Sequence, residues 1–228
     1  MYIADNIYEG RLTIGMNEQV FEEISAYLQK GNANKVKETV LAAAEAGIDP
    51  EEILTKGMLS GMDIIGEKFK KNEIFVPEVL IAARAMKIGT DALKPYLAKA
   101  GVQAKGTVVI GTVKGDLHDI GKNLVKMMLE GKGINVIDLG VDVPAEKFLD
   151  SALENNAQII CCSALLTTTM GEMRNVTALV KERGLNDKLK VMVGGAPVTQ
   201  AFADEIGADV YTQDAASAAQ EAIKILSA

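Results

Sequence analysis

The chain has 228 residues, 48% apolar and 24% charged, a balance that supports a packed core and argues against a disordered chain. Its formal net charge of −7 argues against a duplex nucleic acid or an anionic membrane as partner, because either needs a broad basic face. Met1–Gly10 is acidic and polar where a secretory leader is apolar, and no apolar run reaches the ~18 residues of a membrane span. The expectation is a cytoplasmic protein.

The first hundred residues carry helical periodicity. Val20, Phe21, Ile24 and Leu28 recur at three- and four-residue spacing and stop at Gly31. Val36, Val40, Leu41 and Ala44 form a second stripe ending at Gly47. A third helix opens with Asp49 as N-cap, Pro50 at the first helical position and Glu52 three residues after the cap. Its stripe reads Ile53, Met58, Met62, Ile65, Phe69. Pro77 and Glu78 start a fourth helix through Val79, Leu80, Ala83 and Met86, which Pro95 is expected to kink or end. Four helices with short connections predict a four-helix bundle over residues 1–98.

Residues 99–106 contain two glycines and no apolar period, and read as a linker. From residue 107 to residue 228 the pattern changes to short β-branched runs alternating with helical stretches. The runs are Thr107 to Gly111, Ile134 to Leu139, Ala157 to Ser163, Lys190 to Val193 and Ala208 to Thr212. Strands that do not alternate in polarity are buried on both faces, so this half predicts an α/β domain with a five-stranded parallel sheet. Cys161 and Cys162 fall in the third run, adjacent to each other, and read as small buried strand residues rather than as a redox or metal pair.

Ligands of open parallel sheets bind beyond the carboxyl ends of the strands, near the point where strand order reverses. Five units predict the flavodoxin-like (Rossmann-type) order 2-1-3-4-5, with strands one, three and four adjacent. Their loops are Gly115-Asp116-Leu117-His118-Asp119-Ile120-Gly121, then Ser163 through Thr169, then Gly194-Gly195-Ala196-Pro197. Singly, a loop histidine is most often a surface residue, glycines after strands are turn residues, and a Ser/Thr run is a helix cap. Together at three adjacent strand ends they predict a site. No phosphate-binding glycine loop of either common type is present, so a nucleotide or flavin fits poorly. An imidazole with a carboxylate two residues away suits the axial position of a metal.

Asp116-x-His118-x-x-Gly121, Ser163-x-Leu165 and Gly194-Gly195 together resemble the signature of methylcobalamin-binding proteins. These include the cobalamin module of methionine synthase and the corrinoid proteins of methylamine, methanol and methoxy-aromatic methyltransferase systems. Gly66-Glu67-Lys68-Phe69, Ile74-Phe75-Val76-Pro77 and Ala85-Met86 resemble the helical cap that precedes the cobalamin domain in those proteins. The likeness covers nearly all of the chain beyond its first fifteen or so residues.

The resemblance implies a cobalamin or related corrinoid whose lower base leaves cobalt, with His118 as the metal ligand in its place. Asp116 and Thr169 complete a relay to the ring, and Gly115, Leu117, Asp119, Ile120, Gly121 and Leu165 belong to the same binding loops. Ser163 and Thr167 face the displaced base, Gly194 and Gly195 leave room for the cofactor tail, and Ala215 falls at its last contact. Phe69 and Val76 match positions over the upper face of the corrin, although both also fit a plain bundle core. The implied function is to carry a methyl group on cobalt, with no substrate selection of its own, between a substrate-specific corrinoid methyltransferase and a second methyltransferase. That second enzyme would pass the group to a thiol coenzyme or tetrahydrofolate, and a reductive activation protein would be a further partner. The second half is closest in texture to methylamine and betaine systems. Two alternatives stay open: a corrinoid-sensing or storage module, and the cobalamin subunit of a radical mutase.

Overall fold

A computed structural model describes residues 17–227 of the chain, so the reading of Met1–Gly10 lies outside the described residues. Two compact units meet between Gln103 and Ala104.

In the helical unit, α1 (17–29) and α2 (Ala33–Glu45) are joined by a turn at Gly31. Asn32 caps α2 by accepting from the Lys35 amide at 3.2 Å. Helix α3 starts at Pro50, after Asp49 has accepted from the Glu51 amide at 3.0 Å, and runs to Lys70. Its stretch Ile53–Leu59 is π-helical. This wider turn explains the five-residue step from Ile53 to Met58 in the apolar stripe, since both side chains are fully buried. Gly57 and Gly61 face α1: a β-carbon on either would lie 3.2 Å from Ile24 or Ser25. Helix α4 (Val76–Ala100) opens with the Glu78 carboxylate accepting from the Phe75 amide at 3.1 Å. It continues through Pro95 rather than ending there, and stops at Gly101 with φ +74°. Pro95 sits on the exposed face, where the helix tolerates a lost hydrogen bond because water can replace it.

In the α/β unit the strands are β1 (Thr107–Thr112), β2 (Asn135–Asp138), β3 (Ile159–Ser163), β4 (Lys190–Gly194) and β5 (Val210–Tyr211). All pair in parallel in the order β2-β1-β3-β4-β5, as the pattern predicts. Helices α5 (Ile120–Glu130), α6 (Ala145–Glu154), α7 (Gly171–Glu182), α8 (Gln200–Ile206) and α9 (Ala215–Leu226) connect and cover them. One core packs Val109, Ile160, Val191 and Val193 of the sheet against Phe148, Leu149, Met173 and Val176 of α6 and α7. The register matters for function. Thr112 pairs with Ser163 and Ser163 with Gly194, so three strand ends stand in one row and release their loops side by side. Cys161 and Cys162 are buried free thiols, and burial pushes the Cys161 thiol up to about 12, which keeps it protonated and inert. No helix among the described residues is long and apolar enough to cross a membrane.

Helix α5 is anchored by a buried ion pair. The Lys122 ammonium, 3% exposed, lies 2.6 Å from Asp138 Oδ1 at the end of β2, with Lys126 at 3.1 Å from Oδ2. Burial alone would raise the Asp138 pKa, but bonds from Lys122, Gly140 N and Lys126 bring it below its ordinary value. Asp138→Asn strands the Lys122 charge and should cost about 3 kcal/mol in urea unfolding. Removing the more exposed partner, Lys126→Ala, should cost under about 1 kcal/mol. Equal losses in the two variants would contradict the assignment of Lys122 as the buried anchor.

Candidate cofactor site around His118

Strand β1 ends on the buried Thr112, and the chain then turns at Gly115, whose φ of +80° favours glycine. This turn drives the Asp116 side chain inward, where it is fully buried, and leaves the His118 side chain 50% exposed. A carboxylate with no solvent must take its hydrogen bonds from the protein. Asp116 Oδ1 accepts from the His118 amide at 3.0 Å and faces the ring Nδ1 at 2.7 Å. Oδ2 accepts from the amides of Leu165 and Leu166 at 2.8 and 3.1 Å, beyond β3. The Thr169 hydroxyl lies 2.9 Å from both Oδ2 and the Leu166 carbonyl, so its single proton is shared between them. These donors fill the roughly four lone-pair positions of a carboxylate.

Burial acts to raise the Asp116 pKa. The bonds from the His118 amide, Leu165 amide, His118 ring and Leu166 amide outweigh it and hold the carboxyl well below the usual carboxylate range. An ionised Asp116 can only accept, so the proton of the neutral ring sits on Nδ1. The Nε2 lone pair is then free, and Nε2 has no partner among the described residues. The segments that carry and hold this ring also expose apolar side chains: Leu117 at 71%, Ile120 at 77%, with Leu165 and Leu166 also exposed.

The remaining residues predicted from sequence divide into two groups. Ser163 ends β3, half-buried, and its hydroxyl has no partner among the described residues. Asp119 and Thr167 are exposed in the same loops, and Gly121, also exposed, lies in the first turn of α5, with nothing within 4 Å of a β-carbon built on it. Gly194 closes β4, and Gly195 follows it with φ +134°. A β-carbon on Gly195 would lie 1.9 Å from the Ala164 carbonyl oxygen, so the loop itself requires glycine there. Ala215 opens α9 after β5, on the same sheet edge but not beside β1. Phe69 and Val76 are half-buried in the helical unit, whose exposed aromatic residue among the described residues is Phe75 at 65%.

Three contributors escaped the sequence reading. Leu166 acts through its backbone amide, which side-chain identity cannot reveal. Thr112, a polar residue ending an apolar strand, donates its hydroxyl to the His118 carbonyl at 2.9 Å. Asp142, between Gly140 and Pro144, carries no motif of its own, yet its Oδ1 accepts from Gly115 N at 2.7 Å.

Residues 106–224 match the B12 binding domain, and residues 20–94 match a second B12 binding domain model. The chain belongs to the B12-binding corrinoid protein family. It is 46% identical to dimethylamine corrinoid protein 1 of Methanosarcina acetivorans, over 83% of this chain and 91% of that protein. It is 49% identical to trimethylamine corrinoid protein 1 of the same organism, over 80% of this chain and 84% of that protein. A crystal structure of the methanol:cobalamin methyltransferase complex of Methanosarcina barkeri contains a chain alike in fold, with a TM-score of 0.82 and 34% identity. That match covers 92% of this chain and 80% of the other. The donor set fits the family's cofactor. One imidazole without further ligands suits a cobalt that brings its own equatorial donors, and exposed apolar side chains in the same segments suit a flat macrocycle. Among the described residues no three His, Cys, Asp or Glu side chains are grouped to hold a bare ion.

Asp116→Asn tests the lock on the ring. The amide oxygen is required at the Leu165–Leu166–Thr169 side, which turns the amide NH2 toward His118 and favours the ring tautomer with its proton on Nε2. Proton–nitrogen correlation spectra should show that switch, and stability at neutral pH should fall by about 2 kcal/mol. Because the Asp116 pKa is depressed on folding, its stabilisation is full above the ordinary carboxylate range and fades as pH falls through the folded value. The gap between parent and variant should therefore narrow in acid. An unchanged tautomer, or a gap that widens in acid, would contradict this account.

Proposed function

We infer that the chain is the methyl-carrying corrinoid subunit of a methyltransferase system, holding the group on cobalt between one methyltransferase and the next. The observation that carries this is the single imidazole held by a buried, ionised carboxylate, with Nε2 free and exposed apolar side chains in the same loops. Likeness to dimethylamine and trimethylamine corrinoid proteins supports a methylamine as the source of the methyl group. Likeness to a chain of the methanol:cobalamin methyltransferase complex supports a substrate-specific methyltransferase as partner. A second methyltransferase, which delivers the group to its acceptor, and a reductive activation protein complete the proposed set of partners.

When bound, the corrinoid supplies a cobalt that accepts and releases methyl groups; the protein supplies ligation, orientation and protection. In this reading His118 offers Nε2 to cobalt, and Asp116 keeps the Nδ1 proton in place, which raises the basicity of the ring. Thr169 and the Leu165 and Leu166 amides hold the carboxylate still, so the proton at Nδ1 has a fixed partner whenever ligation changes. Leu117, Ile120, Leu165 and Leu166 would shield the bound group from water. Ser163, Thr167, Gly194, Gly195 and Ala215 are proposed for the base and tail, and Phe69 and Val76 for shielding the methyl group.

His118→Ala should still take up cobalamin, because the proposed tail contacts are untouched, but its visible spectrum should lose the histidine-bound form. Methyl uptake with a methylamine-specific methyltransferase and its substrate should slow by roughly tenfold or more, the scale of losing a ligand or its supporting shell. A spectrum identical to the parent's would sink the ligand assignment, and parent protein that takes up no methyl group would sink the carrier role.

A further inference from the structure

The turn between β2 and α6 has no part in the family signature, yet it holds the histidine loop at Gly115 and Asp116 and the end of β1 at Thr112 and Val113. Asp142 Oδ1 accepts from Gly115 N at 2.7 Å, and Asp142 N donates to the Asp116 carbonyl at 3.0 Å. Val143 N donates to the Thr112 carbonyl at 3.0 Å, and Val143 bridges Val113 in parallel. Thr112 in turn holds the His118 carbonyl. Asp142 does this from φ +55°, a left-handed conformation that residues with a β-carbon seldom adopt. Such a conformation persists where surrounding contacts over-determine it, and it clusters at working sites.

The Asp116 side chain is fixed from the β3 side through Oδ2, and its own amide donates to the Val113 carbonyl at 3.1 Å, which leaves the Gly115 amide and the Asp116 carbonyl to be held. The Asp142 turn holds both. With both ends held, Oδ1 has one orientation, toward the amide and ring of His118. We propose that Asp142 is a positioning residue for His118: it sets the pose in which Asp116 selects the ring tautomer and presents Nε2. Its functional meaning rests on the reading of His118 as a metal ligand, whereas the geometry is testable without any cofactor.

Two variants of the whole chain separate positioning from folding. Asp142→Gly removes the acceptor but relieves the left-handed backbone, so it should unfold within a few degrees of the parent. Asp142→Asn keeps an acceptor oxygen and tolerates the same conformation. In cofactor-free protein, Asp142→Gly should speed hydrogen exchange at the Gly115 amide by about tenfold, the scale of one hydrogen bond. It should also give His118 a mixture of ring tautomers where the parent shows Nδ1–H alone. Asp142→Asn should restore both signals. Parent-like exchange and tautomer in Asp142→Gly, or no rescue by Asp142→Asn, would overturn the proposal. Loading with hydroxocobalamin reads the other question: a parent without a histidine-bound spectrum defeats the ligand reading, while the tautomer result still decides the role of Asp142.

Discussion

The site depends on keeping a carboxylate ionised where there is no water. Asp116 is fully buried, and desolvation alone would protonate it. Amides from two loops, a threonine hydroxyl and an imidazole hold it charged instead. Its negative charge then dictates where the proton of His118 resides, and so which nitrogen is free. A surface Asp–His pair with the same separation would gain little and move freely. Burial makes the interaction strong and fixes it in direction, at the cost of requiring every donor to be in place.

Those donors come from elements distant in sequence, and the sheet brings them together. The in-register row of Thr112, Ser163 and Gly194 brings the loops after β1, β3 and β4 to one edge. The β3 loop then supplies its amides and Thr169, while the turn after β2 supplies Asp142 from the other side. Packing of α6 and α7 against the sheet and the Lys122–Asp138 pair of α5 hold the frame from which these loops extend. The apolar residues left in water follow the same logic. Leu117 and Ile120 face solvent close in sequence to the buried Asp116, and exposed apolar side chains mark a surface that suits a ligand.

Much of this was legible in the chain. Unbroken β-branched runs separated by helical stretches pointed to a parallel sheet, because a strand buried on both faces has no polar alternation, and five such units pointed to the order that the structure shows. The loop constellation marked the site, and Asp116, His118 and Thr169 do come together. The step of five from Ile53 to Met58 already held the π-helical turn, though a regular helix was read there. Other features lay beyond side-chain identity. The Leu166 amide donates from the backbone, and Pro95 continues a helix because its exposed face can spare a bond. Gly195 reads as a glycine that makes room for a ligand, but the nearby Ala164 carbonyl requires it first. Asp142 is an ordinary turn residue until its left-handed backbone and its contact with Gly115 are seen.

The central claim is that the free nitrogen of this one imidazole meets cobalt. Because the chain contains a single histidine, heavy-nitrogen labelling of histidine alone marks that atom. The measurement is electron paramagnetic resonance of the labelled protein carrying reduced, paramagnetic cobalamin. If His118 is the axial ligand, the nitrogen splitting of each cobalt line changes from triplets in unlabelled protein to doublets in labelled protein. Triplets that persist after labelling would mean that the cofactor's own base still occupies cobalt, and would contradict the account.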